Sequence, residues 1–122
     1  MIVNLSNGFK LPRILSQKDL DRCIDFVETE LTNRIRSGEK TFSVQSMFGG
    51  ENYDWCSLGF PIGDIWIKCN EKYENEGYSD HEERAKTRAG IYVGMILKYV
   101  CHKVNFNFKI KKLFKQNVYE LV

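Results

Sequence analysis

The residues best suited to chemistry lie near the end of the chain. Residues 91–122 carry six lysines, Lys98, Lys103, Lys109, Lys111, Lys112 and Lys115, against one acid, Glu120. Lysine ammonium groups neutralise phosphates and release the counterions condensed on a nucleic acid, so binding of this kind weakens as salt is added. His102 lies beside Lys103, and Phe114 offers an aromatic face for sugars or bases. No arginine occurs in residues 89–122. Arginine is the usual bidentate reader of guanine, so the segment suits backbone contact better than direct readout of sequence. The candidate nucleic-acid contacts are therefore Lys98, His102, Lys103, Lys109, Lys111, Lys112 and Lys115. The same lysines have a purely structural use, because charged side chains keep an exposed strand edge from pairing with other chains.

A second cluster has the opposite sign. Glu71, Glu74, Glu76, Asp80, Glu82 and Glu83 lie close together in the chain, with Tyr73 and Tyr78 interleaved. Carboxylates spaced along a surface can imitate phosphates and occupy a basic channel on another protein. Acids are also favourable near a helix N-terminus with no partner at all. The net charge of +2 thus divides unevenly. Residues 1–50 contribute +1, residues 51–90 contribute −4 and residues 91–122 contribute +5. Two surfaces with different partners are implied, or one well-solvated exterior.

Little points to catalysis. Asp54, Cys56 and Asp64 have no histidine or second carboxylate tied to them by spacing, and Gly49-Gly50 lacks the Lys-Ser/Thr of a phosphate-binding loop. Cys23, Cys56, Cys69 and Cys101 form no CxxC pair, and His81 and His102 are not spaced as a metal pair. Adjacent Cys101 and His102 point in different directions on a helix. The expectation is a protein that is not an enzyme and needs neither metal nor cofactor. Cys23, Cys69 and Cys101 read as small core residues, and Trp55 and Trp66 as core anchors.

The elements that must hold these groups follow from periodicity. At 122 residues, 43% hydrophobic and with eight Phe, six Tyr and two Trp, the chain has the length and apolar content of a single domain spanning 1–122. No apolar run approaches the length of a membrane span. Met1 to Leu5 does not read as a secretory signal, so a reducing, cytoplasmic setting is expected. Residues 1–15 read as an N-terminal arm or a hairpin about Asn7-Gly8, with Pro12 confining its second run to an edge or an extended arm. Residues 16–103 read as a mainly helical body. Ser16 caps a first helix whose apolar stripe is Leu20, Cys23, Ile24, Val27, Leu31 and Ile35, ended by Gly38. Thr41 to Val44 alternates as a short strand, and Gln45 to Phe48 suits one helical turn. Pro61 is placed as the first residue of a helix carrying Ile62, Ile65, Trp66, Cys69 and Tyr73. Ser79 to Glu82 reads as a capping box opening a helix with Ala85, Ala89, Val93, Ile96 and Val100 on one face. Gly90 and Gly94 leave open whether this is one helix or two. Its second half, with Tyr92, Met95, Lys98, Tyr99 and His102 able to face outward, is apolar enough to be the most buried helix of the core. Residues 104–122 then switch to period two: Val104, Phe106, Phe108 and Ile110 face one way, and Asn105, Asn107, Lys109 and Lys111 the other. A second run, Val118 to Val122, completes a C-terminal β-hairpin. Its face and tip are expected to carry Lys109, Lys111, Lys112 and Lys115 together.

The order helix, strand, helix, helix, hairpin predicts an α+β, winged-helix-like fold, with helices packed on a small antiparallel sheet and the hairpin as the wing. Thr41-Phe42-Ser43-Val44, Met47-Phe48-Gly49, Trp55 and Tyr119 together resemble a small uncharacterised domain of Gram-positive bacteria and their phages, over residues 41–122. That resemblance implies a phage or prophage setting and supplies no activity. Two functions follow as expectations. One is a non-enzymatic module that contacts nucleic acid through the basic hairpin. The other is a phage-encoded inhibitor of a host nuclease or defence system, anti-CRISPR-like, which binds a host protein through the acidic stretch.

Overall fold

The computed structural model describes residues 10–48, 55–113 and 116–122. Helix α1 spans Gln17–Arg36, strand β1 Thr41–Phe42 and helix α2 Val44–Phe48. A 3-10 turn at Trp55–Leu58 leads to α3 (Ile62–Asn75) and α4 (His81–Lys103), and strands β2 (Phe108–Leu113) and β3 (Gln116–Leu121) form the hairpin. The sheet is antiparallel in the order β1-β3-β2. The fold is therefore α+β, four helices with a small three-stranded sheet.

Helix α1 begins where its sequence says it should. The Asp19 N–H donates to the Ser16 hydroxyl at 3.1 Å, filling one of the donors a helix start leaves unpaired. At the far end Gly38 takes φ +100°, and Gly38 and Glu39 donate back to the carbonyls of Ile35 and Arg34. Glycine suits that left-handed position, and the paired bonds satisfy two orphan carbonyls. Leu20, Cys23, Ile24, Val27 and Leu31 are buried. Ile62, Ile65 and Cys69 do the same for α3, with Trp66 and Tyr73 packed at the margin.

Helix α4 is a single unbroken helix of 23 residues. Ala85, Ala89, Val93, Ile96 and Val100 are all fully buried. Its two internal glycines are packing positions. A Cβ at Gly90 would meet Trp55 Cζ2 at 3.7 Å, and one at Gly94 would meet Val44 Cγ2 at 3.8 Å. Both distances are ordinary contacts, so the Trp55 ring and Val44 leave room for a methyl at either glycine. Trp55, only 1% exposed, donates its indole N–H to the Lys86 carbonyl at 3.1 Å.

Two expected helix starts shift by one residue. Asp80, not Ser79, occupies the cap position of α4 and makes no side-chain cap bond. Its carboxylate instead accepts from Arg84 Nε at 2.8 Å, one turn along. In that bond both partners are charged, whereas at a cap only the carboxylate would be. Pro61 stands just before α3, at the cap position, after a cis Phe60–Pro61 bond. The hairpin also differs at its margins. Helix α4 absorbs the chain to Lys103, residues 104–107 connect, and β3 starts at Gln116, two residues before Val118.

The inner face of the sheet closes the helical body. Phe42, opposite Tyr119 in the register, is fully buried, and Tyr119 is 2% exposed. Phe108 meets both rings edge-on, with centroids at 6.2 and 6.5 Å. Residues 10–15 form an arm whose Pro12 and Leu15 are buried. The proposed Asn7-Gly8 turn lies outside the described residues. Cys23, Cys69 and Cys101 are buried free thiols. Burial pushes them up to about 12, 11 and 12 respectively, which leaves them unreactive.

Arg34 carries a role that periodicity does not announce. Its Nη1 donates to Glu39 at 3.2 Å and to the Ser46 carbonyl at 3.4 Å, and its Nη2 to the Met47 carbonyl at 3.2 Å. A five-residue helix has no stability of its own, and Arg34 fastens the end of α2 to α1.

Two substitutions separate packing from propensity. Trp55→Ala is expected to destabilise the fold by about 3–5 kcal/mol, because a buried ring leaves a cavity over Gly90. Gly94→Ala is expected to stabilise it by about 0.5–1 kcal/mol, since alanine is the better helix former and its methyl has room. Chemical denaturation measures both. A loss of stability in Gly94→Ala would contradict the spacing between Val44 and α4.

Candidate nucleic-acid interface

The hairpin register decides where each lysine points. Opposite residues of an antiparallel pair share a face, and successive residues alternate. Ile110 pairs with the buried Tyr119, and Phe108 with Leu121, so Phe108, Ile110 and Lys112 lie on the inner face. Lys109, opposite Glu120, and Lys111, opposite Val118, lie on the outer face. The expectation of one common lysine face is corrected here: Lys112 is on the opposite side from Lys109 and Lys111. The two consecutive lysines of a strand cannot share a face. Lys115 lies outside the described residues, as does Phe114.

All three described hairpin lysines are exposed, and they differ in their surroundings. Lys111 Nζ sits 3.5 Å from the Glu120 carboxylate, with both side chains well solvated. A pair of that kind is worth at most about 1 kcal/mol and yields readily to a stronger anion. Lys109 and Lys112 enter no ion pair among the described residues. Lys103 is committed elsewhere: its ammonium donates to Glu28 of α1 at 2.5 Å, and that bond raises its pKa. Lys103 thus ties the end of α4 to α1. Lys98 and His102 are exposed one turn apart, and His102 Nδ1 donates to the Lys98 carbonyl at 2.8 Å. The remainder of α4 serves the core. Tyr99 is buried, and Tyr92 and Met95 are half-buried. Beside the hairpin, α4 thus offers Lys98 and His102.

The acidic stretch is interwoven with bases. Glu76 pairs with Lys72 at 3.4 Å, Asp80 with Arg84 at 2.8 Å, and Glu74 lies 3.9 Å from His81. His81 Nδ1 also donates to Asn70 Oδ1 at 2.6 Å, linking the start of α4 to α3. Arg84 holds the Asp80 carboxyl below its usual range. Glu71, Glu82 and Glu83 are exposed.

Tyr73 and Tyr78 pack against each other where α3 ends. Gly77 takes φ +89°, and Gly77 and Tyr78 donate to the Glu74 and Tyr73 carbonyls, ending α3 as Gly38 ends α1. The two rings meet edge-on at 5.7 Å, the apolar contact that accompanies such an ending. Arg84 stacks 4.0 Å above Tyr78, and Arg88 Nε donates to the Tyr73 hydroxyl at 3.3 Å. The pair therefore clasps the α3–α4 turn. Only the paired Tyr73…Gly77-Tyr78 spacing in the sequence hints at it.

No protein-family model, curated protein or solved structure matches this chain. The site must therefore be read from its own geometry. Among the described residues, no group of three His, Cys, Asp or Glu side chains converges as a metal site, and no helix is long and apolar enough to cross a membrane.

The clasp has a measurable consequence. Tyr78→Ala is expected to cost about 1–2 kcal/mol through the lost ring pair and cation–π contact. Glu82→Gln and Glu83→Gln are expected to stay within about 0.5 kcal/mol. Urea denaturation of the three variants distinguishes them, and a neutral Tyr78→Ala would remove the structural role assigned here.

Proposed function

We propose that this chain is a non-enzymatic, winged-helix-like module that contacts nucleic-acid backbone through its C-terminal hairpin. The observation that carries the reading is the position of β2. It is the longer of the sheet's two outer strands, and it bears Lys109, Lys111 and Lys112, all exposed. Lysines on both faces of an outer strand can reach phosphates on either side of a groove into which the ribbon fits. The chain order α1-β1-α2-α3-α4-β2-β3 with the strand order β1-β3-β2 supports the winged-helix reading. Lys98 and His102, at the end of the helix that feeds the wing, extend the same cationic rim.

The lack of arginine and the burial of most of α4 favour binding with little base readout. Affinity should then come from counterion release and depend steeply on salt. The resemblance noted over residues 41–122 would place such a module in a phage or prophage setting.

Fluorescence anisotropy with a labelled mixed-sequence DNA duplex tests the proposal. Binding is expected at low salt, with log K falling linearly in log salt. Each lysine–phosphate contact contributes about 0.9 to the slope. The triple variant Lys109→Glu, Lys111→Glu, Lys112→Glu should abolish binding while leaving the circular dichroism spectrum unchanged. Glu120→Gln, which removes the acid between Lys109 and Lys111, should tighten binding by roughly fivefold. Absence of binding at low salt, or binding indifferent to these changes, overturns the reading.

A further inference from the structure

The sheet has two edge strands, the two-residue β1 and the six-residue β2. Strand β3 is sandwiched between β1 and β2, and β2 has no strand on its second edge among the described residues. An unpaired edge of six residues presents a row of free N–H and C=O groups able to accept another strand. The inner face beside that edge leaves an apolar side chain uncovered next to Lys112. Ile110 is 51% exposed although its cross-strand partner Tyr119 is 2% exposed, and Phe106, just before β2, is 42% exposed.

The identity of an added strand is constrained by what β2 presents. A second copy of β2 fits badly. In any antiparallel pairing of β2 with itself, opposite residues must share a face, so outer-face residues meet outer-face residues. Lys109 then falls opposite Lys109, Lys111 or residue 113, and every such register around the strand centre sets lysine against lysine. Like charges directly opposite are destabilising. Strand β3 shows the complementary solution, with Glu120 opposite Lys109, Tyr119 opposite Ile110 and Leu121 opposite Phe108.

We infer that the free edge of β2 docks an extended peptide strand of a partner protein in which carboxylates alternate with apolar side chains. The backbone edge supplies the hydrogen bonds, Ile110 and Phe106 receive the apolar residues, and Lys109 and Lys111 select the acidic ones. The edge and its apolar side chains make this inference independent of the nucleic-acid reading, which needs only the cations.

The probe is the chain's own complementary sequence, the acetylated and amidated heptapeptide of residues 116–122, titrated into the ¹⁵N-labelled full chain. Backbone amide shifts are expected at 107–112 at millimolar peptide. The same peptide carrying Glu120→Lys should bind about tenfold more weakly. Ile110→Lys, a change at an exposed side chain, should remove the shifts while leaving the thermal melt unaltered. Absence of shifts, or equal response to both peptides, overturns the inference. So does a dimer in sedimentation whose protected amides are those of β2, which would make a second copy the occupant. A DNA duplex that perturbs these edge amides when the peptide does not also overturns it. Peptide shifts in a chain that binds no DNA sustain the edge and reject the nucleic-acid reading alone.

Discussion

The fold depends on how closely Trp55 and its neighbours can approach α4. A helix whose inward face is Ala85, Ala89, Gly90 and Gly94 has almost no side-chain relief there. The indole lies on the backbone at Gly90, and its N–H finds a carbonyl at Lys86. A buried indole N–H without an acceptor would cost free energy comparable to a lost hydrogen bond. Val44 of α2 lies beside Gly94 at ordinary contact distance, and α3 also packs on α4. The end of α4 in turn fixes where the hairpin leaves the helical body, so the placement of the cationic ribbon is inherited from packing some twenty residues upstream.

Electrostatics then sorts the lysines by what lies opposite them in space. Lys103 and Lys111 have similar chemistry and similar local sequence, yet one is held by Glu28, 75 residues away in the chain, and the other leans on Glu120 across a strand. The first pair joins two helices and fixes a side chain. The second is solvated and readily exchanged. Lys109, though opposite Glu120 in the register, and Lys112 enter no ion pair among the described residues. The basic C-terminal segment is thus partly consumed in fastening the structure and partly left available. Net charge alone does not reveal that division.

What the sequence makes legible is whatever depends on nearest neighbours along the chain. The Ser16 cap, the Gly38 ending, the buried stripes of α1 and α3 and the alternation of the hairpin from Phe108 onward all express spacings of two to five residues. Each appears as read. The departures come from competition or from distance. Asp80 could have capped α4, but Arg84 stands four residues on and offers a charge-assisted bond. Lys111 and Lys112 read as one basic cluster, whereas strand geometry sends consecutive residues to opposite faces. Arg34 stands in the last turn of α1, and its guanidinium reaches carbonyls of α2 that no periodicity connects to it. Tyr73 and Tyr78 read as aromatic members of an acidic surface. Their rings are in fact held by each other and by Arg84 and Arg88, because the glycine between them turns the chain back on itself.

The asymmetry of the sheet follows from the same economy of core. The inner face is apolar along its whole width, from Phe42 through Tyr119 to Ile110, but the helical body is wide enough to cover only the first two. Strand β1 is two residues long and needs no protection as an edge. Strand β2 is six residues long and carries three lysines, two on one face and one on the other. Charge on such an edge opposes pairing with copies of itself and with any neutral or basic strand. It leaves phosphates and acidic strands as the anions that can approach. The half-covered Ile110 is what distinguishes them, since a nucleic-acid backbone gains nothing from an isoleucine and an alternating peptide does.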